Sequence, residues 1–117
     1  MKYFEAENLA NALSGMTDKT GIVGYKIARN LRMINDELRE YYQFKQELFK
    51  KYGTEEEDGS IKIEKNTVNY NAFVKEFEPI ANQEIKFSFR KFTQDELVES
   101  GMTAEEMMLL WEMTDDN

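Results

Sequence analysis

The chain has 117 residues, 41% of them hydrophobic, with eight Phe, six Tyr and one Trp: enough for one modest core and too much for general disorder. It has no Cys and no His, which removes disulfides, thiolate and ordinary zinc sites, a cysteine nucleophile, the serine triad and the usual general base near neutral pH. The formal charge of -8 is unevenly placed, because all fifteen Lys and Arg lie within residues 1–92 beside fifteen acids, whereas residues 93–117 carry eight acids and no cation.

The opening Lys2-Tyr3-Phe4 reads as a short strand or a helix lead-in. Ala6, Leu9, Ala12 or Leu13, and Met16 then stand at helical spacing, so a short helix is expected from Glu5 to Met16, followed by a loop through Ser14-Gly15 and Thr17 to Gly21.

Between Gly21 and Gly53 lies the one long helical pattern. Ile27, Leu31, Ile34, Leu38, Tyr41, Lys45, Leu48 and Tyr52 alternate spacings of four and three, with Lys45 as the single break in the seam. Tyr42 and Phe49 widen it on one side, Met33 and Phe44 on the other, so the apolar arc spans half the girth of the helix. Arg29, Arg32, Asp36, Arg39, Gln43, Glu47 and Lys50 form the polar face. A helix from Ile22 to Tyr52 would be roughly 45 Å long. Lys50 and Lys51 suit its last turn, and Gly53 suits a left-handed cap. A chain this short is expected to leave part of that rod bare, which marks Ile27, Leu31, Met33, Ile34, Leu38 and Phe44 as an interface, most simply with a second copy.

After Gly53 comes an acidic run, and Asp58-Gly59 signals a turn ahead of a short exposed strand at Ile61-Ile63. A calcium loop fails here: with Gly59 as its sixth position the first would be Thr54 and the twelfth Lys65, where carboxylates are required. The segment 66–82 groups Tyr70, Phe73, Val74, Phe77, Ile80 and Ala81 on one helical face, with an end or kink expected at Pro79, and it should run back along the long helix. Ile85, Phe87 and Phe89 alternate with Lys86, Ser88 and Arg90, the clearest strand pattern, needing a partner in Lys2-Phe4, Ile61-Ile63 or a second subunit.

Thr93 to Glu96 and Thr103 to Glu106 both fit the capping box, separated by Ser100-Gly101. The second helix, Ala104 to Met113, carries acids with Met107, Leu110 and Trp111, a composition that suits docking of Glu105, Glu106, Met107, Leu110, Trp111 and Glu112 on a partner. Closure of the chain's own core by Met107, Leu110 and Trp111 is the favoured reading of the two.

The fold expected is mainly α within the α+β class: a long helix in an antiparallel helical hairpin, a small antiparallel sheet and short C-terminal helices. Residues 1–92 form the hairpin and strand core, with the acidic segment 93–117 packed on the same single domain. No residue pattern calls for a cofactor or metal, and the chain reads as a non-enzymatic protein. The cations Lys26, Arg29, Arg32 and Arg39 are interleaved with acids, which favours a solvated face over nucleic acid. No apolar run nears the ~18 residues of a membrane span and the first residues lack a signal-peptide core, so a cytoplasmic protein is expected.

The run Gly24-Tyr25-Lys26-Ile27-Ala28-Arg29-Asn30-Leu31, then Tyr52-Gly53, the acidic turn with Gly59, Phe73 with Lys75-Glu76, Glu84-Ile85 and the acidic Met-rich end resemble a family of short proteins encoded by phages and prophages of Gram-positive bacteria. Pro79 is an unusual interruption of its second helix. The resemblance implies a protein of unknown function made inside a bacterial host, and it carries no catalytic residue. Two functions follow as expectations. One is a self-associating interaction protein serving phage assembly or regulation. The other is an acidic inhibitor that occupies a basic site of a host defence or DNA-processing protein through Glu105, Glu106, Glu112, Asp115 and Asp116.

Overall fold

The computed structural model describes residues 1–115, which measure 51 × 31 × 23 Å along their principal axes. Asp116 lies outside the described residues.

Helix α1 spans Tyr3–Ser14 and helix α2 Gly21–Tyr52. Gly21 takes φ +69°, open to glycine, which lets the chain swing from the loop into α2. Gly24 is needed for closeness instead: a Cβ there would collide with the Lys19 carbonyl, where the loop crosses the first turn of α2. At the other end Gly53 is extended (φ -92°, ψ 169°), so the left-handed cap expected there does not form. Glycine is still required, since a Cβ would strike the Phe49 carbonyl oxygen and the Ile61 side chain.

From Gly53 the chain enters a short antiparallel hairpin, β1 (Thr54–Glu55) with β2 (Ile61–Lys62), turned by Gly59 at φ +86°. Asp58 Oδ1 accepts from the Ser60 N–H at 3.0 Å and stiffens that turn. Thr67 caps helix α3 (Val68–Ala81) by accepting the Tyr70 N–H at 3.1 Å. Of the end or kink expected near Pro79, the end does not occur there: α3 runs through it to Ala81. The proline sits in the final turn, and the carbonyl it leaves without a donor belongs to exposed Lys75, which water can serve. Phe73 packs on Phe49 at 5.1 Å and Phe77 on Tyr41 at 5.5 Å, which makes α2 and α3 an antiparallel pair.

Helix α1 covers α2 from another side, with Tyr3 stacked on Tyr41 at 5.2 Å. Lys45, the flaw in the seam, is used: its ammonium lies 3.0 Å from Glu7 and 5.5 Å above the Phe77 ring. The Tyr41 hydroxyl, by contrast, is buried without a hydrogen-bond partner among the described residues, and burial, then Glu7, push its pKa up to about 12. Tyr41→Phe is therefore expected to raise stability by about 1 kcal/mol in urea unfolding, since it removes a buried polar atom that gains nothing. The neutral phenol is the folded form, so whatever stability it supports is complete below the ordinary tyrosine range and is lost as pH rises through about 12.

Residues 83–91 do not form the expected strand and belong to no regular element. A single bridge joins Glu84 to Lys2, and the Ile85 N–H reaches the Met1 carbonyl at 2.7 Å. Further on, the Asn30 side chain takes the place of a neighbouring strand: Oδ1 accepts the Arg90 N–H at 2.8 Å and Nδ2 donates to the Arg90 carbonyl at 3.0 Å. Ile85, Phe87 and Phe89 thereby lie partly buried against the core, as their alternation demands.

The chain then makes β3 (Phe92–Thr93), α4 (Gln94–Glu99), α5 (Ala104–Leu109), a three-residue 3-10 turn at Trp111–Met113, and β4 (Thr114–Asp115), which pairs with β3 in parallel. The single helix expected from Ala104 to Met113 is thus broken at Leu110. Leu97, Met102, Leu110 and Met113 join Phe92, Ile27 and Ile34 in one buried cluster.

Candidate interaction surface

The C-terminal segment is held to the body at its ends and along one face. Both capping boxes form: Thr93 accepts the Glu96 N–H at 3.1 Å while Glu96 accepts the Thr93 N–H at 2.8 Å, and Thr103 and Glu106 repeat the arrangement at 3.1 and 2.9 Å. Each of these glutamates also pairs with a lysine of the body, Glu96 with Lys26 at 2.7 Å and Glu106 with Lys19 at 3.0 Å. Lys26, then the Thr93 N–H, hold the Glu96 carboxyl below its usual range, and the Thr103 N–H, then Lys19, do the same for Glu106.

Folding favours the ionised form of both, so their contribution is complete above the ordinary carboxylate range and disappears as pH falls through the depressed values. Melting should drop between about pH 5 and 3 more steeply in the intact chain than in Lys19→Met/Lys26→Met, as followed by circular dichroism. Identical profiles would show that the two pairs do not tie the segment down.

Part of what the segment does not bury lines one cleft. Gln94, Leu97, Val98, Met107, Trp111 and Thr114 line a cleft of about 260 Å³ between α4 and the 3-10 turn. Val98 is 67% exposed and Trp111 68%, high for side chains of this kind. Each lining residue has an acid beside it in sequence: Asp95, Glu96, Glu99, Glu106, Glu112 and Asp115. Glu96 and Glu106 face inward to their lysines, while Asp95, Glu99, Glu112, Asp115 and nearby Glu105 are exposed and make no ion pair among the described residues. Lys91 approaches this edge but spends its ammonium on the Glu112 carbonyl at 3.0 Å. On the other side of α5, Met108 and Leu109 are also exposed, over a shallow depression shared with Leu9 and Ala12 of α1.

These positions correct several expectations. Ile27, Ile34 and Leu38 are fully buried in the chain's own core, so they present no face to a second copy; Leu31, Met33 and Phe44 are partly buried. Of the docking residues expected in the tail, Leu110 is buried in the core and Glu106 is engaged by Lys19, leaving Glu105, Met107, Trp111 and Glu112 at the surface or cleft. Of the three side chains expected to close the core, Leu110 does so and Met107 packs partly against it, while Trp111 faces out and Met113 takes the buried position. The sequence reading missed Leu97 and Val98. Their signal was a pair of apolar residues inside the first capping-box helix, of which a six-residue helix can bury one.

Among the described residues no helix is long and apolar enough to cross a membrane, and no three or more Asp or Glu are grouped to hold a metal ion. No protein-family model, curated protein or solved structure matches the chain.

Proposed function

We propose that this chain is a non-enzymatic interaction protein that grips a basic, apolar segment of another protein in the C-terminal cleft. The observation that carries the reading is a solvent-facing Trp111 in an apolar cleft built from a segment, 93–117, that carries acids and no cation. Tryptophan is the side chain most often found at the energetic centre of an interface, and an acidic rim selects cationic partners and speeds their encounter. The resemblance to phage-encoded proteins supports a bacterial host protein as the partner, and the acidic rim supports a basic site on it, such as that of a defence or DNA-processing protein. Self-association through the long helix is not part of this reading, because Ile27, Ile34 and Leu38, three of the six side chains it would use, are inside the molecule.

A chain ending at Phe92 is not a clean test, since it removes Leu97, Leu110 and Met113 from the core. Surface substitutions serve better. Capture from host cells with the intact chain, followed by affinity measurement, should give a complex weakened at least about thirtyfold by Trp111→Ala, with the melting temperature little changed. It should also weaken as salt rises. Val68→Ser, at an exposed valine on α3, should leave affinity unaltered. Equal affinity of the intact chain and Trp111→Ala would remove the cleft from the function.

A further inference from the structure

A second surface is charged in the opposite sense. Tyr25, Arg29, Arg32 and Asp36 follow one another at spacings of four, three and four on α2, and Arg90 joins them from the segment 83–91. Arg29, Arg32, Met33, Asp36 and Arg90 line an open depression of about 400 Å³. Arg90 is delivered there by a built device: Asn30, the one buried polar residue among those described, fixes the Arg90 backbone through both of its peptide groups. The guanidinium carbons of Arg29 and Arg90 then lie 5.9 and 5.5 Å from the Tyr25 ring centre, so one half-exposed tyrosine orients both.

The charge of this group is met only in part. Arg29 and Arg90 form no ion pair among the described residues, and Asp36 lies 4.0 Å from Arg32 while it binds Arg39 at 3.0 Å. Three cations and one carboxylate around one hollow leave a net positive charge that an entering anion offsets, and planar guanidiniums match the oxygens of phosphate two at a time.

We propose that this depression binds a compact phosphate-bearing anion of the pyrophosphate or phosphomonoester class, held by Arg29, Arg32 and Arg90, with Met33 in its wall and the Tyr25 ring behind two of the guanidiniums. A polymer fits less well. The acid-only segment is fastened next to the same residues, through Met113 at Asn30 and Glu112 at Lys91, and would repel a strand running past, whereas a small anion meets the three arginines and one carboxylate, Asp36, which is already drawn to Arg39 and Arg32. The site is independent of the cleft and of what the cleft binds.

Calorimetric titration of the intact chain with sodium pyrophosphate at fixed ionic strength tests the assignment. One-to-one binding is expected. Arg29→Ala and Arg90→Ala, both at exposed side chains, should each raise Kd by about tenfold, the loss of one charge-assisted contact, without lowering the melting temperature. Lys50→Ala, at the far end of α2, should leave Kd unchanged. Absence of saturable heat, equal weakening by Lys50→Ala, or tighter binding of a twelve-nucleotide single strand than of pyrophosphate would overturn the proposal.

Discussion

Phe92→Ala should cost about 3–5 kcal/mol of folding free energy, the range for a fully buried aromatic cut back to a methyl. Phe92 has no exposure and is the largest of the fully buried side chains. It lies in the strand that pairs with Thr114–Asp115, and it belongs to the cluster that joins α2 to Leu97, Leu110 and Met113. The cavity left by its ring would therefore open where the C-terminal segment meets the long helix. Relaxation could fill it only by moving α4 or the 3-10 turn, both of which line the cleft. Against a typical total of about 5–15 kcal/mol, the loss takes a large share of stability. Urea unfolding measures it directly, and a cost below about 1 kcal/mol would mean that Phe92 does not anchor the segment.

The second large effect is expected at Asn30. Asn30→Leu keeps the volume but removes the acceptor for the Arg90 N–H and the donor to the Arg90 carbonyl, leaving two peptide groups without their partners. Asn30 is fully buried, although Arg90 itself is exposed and water can recover part of the loss. A cost of about 2–4 kcal/mol is expected. Asn30→Asp separates this from packing, since it retains an acceptor for the N–H while losing the donor and adding a charge that burial penalises. Hydrogen exchange at the Arg90 amide should accelerate strongly in Asn30→Leu and less in Asn30→Asp. Unchanged protection in both would show that the amide is held by something other than this side chain.

Features decided by local chemistry were legible in the sequence. The limits of α2 came from spacing and flanking glycines, and both tail helices from hydroxyl and carboxylate three residues apart. Features decided by distant contacts were not. The alternation of Ile85, Phe87 and Phe89 announced an extended chain with one face inward, but alternation says nothing about which group satisfies the backbone. Here the Met1 carbonyl serves Ile85, and at Arg90 it is a side chain sixty positions earlier. The signal for that existed: Asn30 falls between Ile27 and Ile34 on the buried stripe, a polar residue where the seam wants an apolar one. Leu31, assigned to the seam instead, is only partly buried.

The same limit explains the surface. Counting apolar residues on α2 against the length of the chain left part of the rod bare, because the sequence does not reveal how fully α1, α3 and the C-terminal segment cover it. Once they do, Ile27, Ile34 and Leu38 are enclosed, and the exposed apolar side chains at Val98, Met108 and Trp111 fall on the covering segment. Gly53 is a smaller case: the residue type was right and the conformation was not, since the need is for room beside Ile61 and Phe49.

Trp111 is the single tryptophan of the chain, so its emission, with that of the partner alone subtracted, reports the cleft. Measured while the captured partner is titrated into the intact protein, the emission should start solvent-exposed and readily quenched by acrylamide, then shift to the blue and lose its quenching at saturation, less so as salt is added. A saturated complex in which Trp111 keeps the spectrum and quenching of the free protein would contradict the account, because the partner would then lie elsewhere.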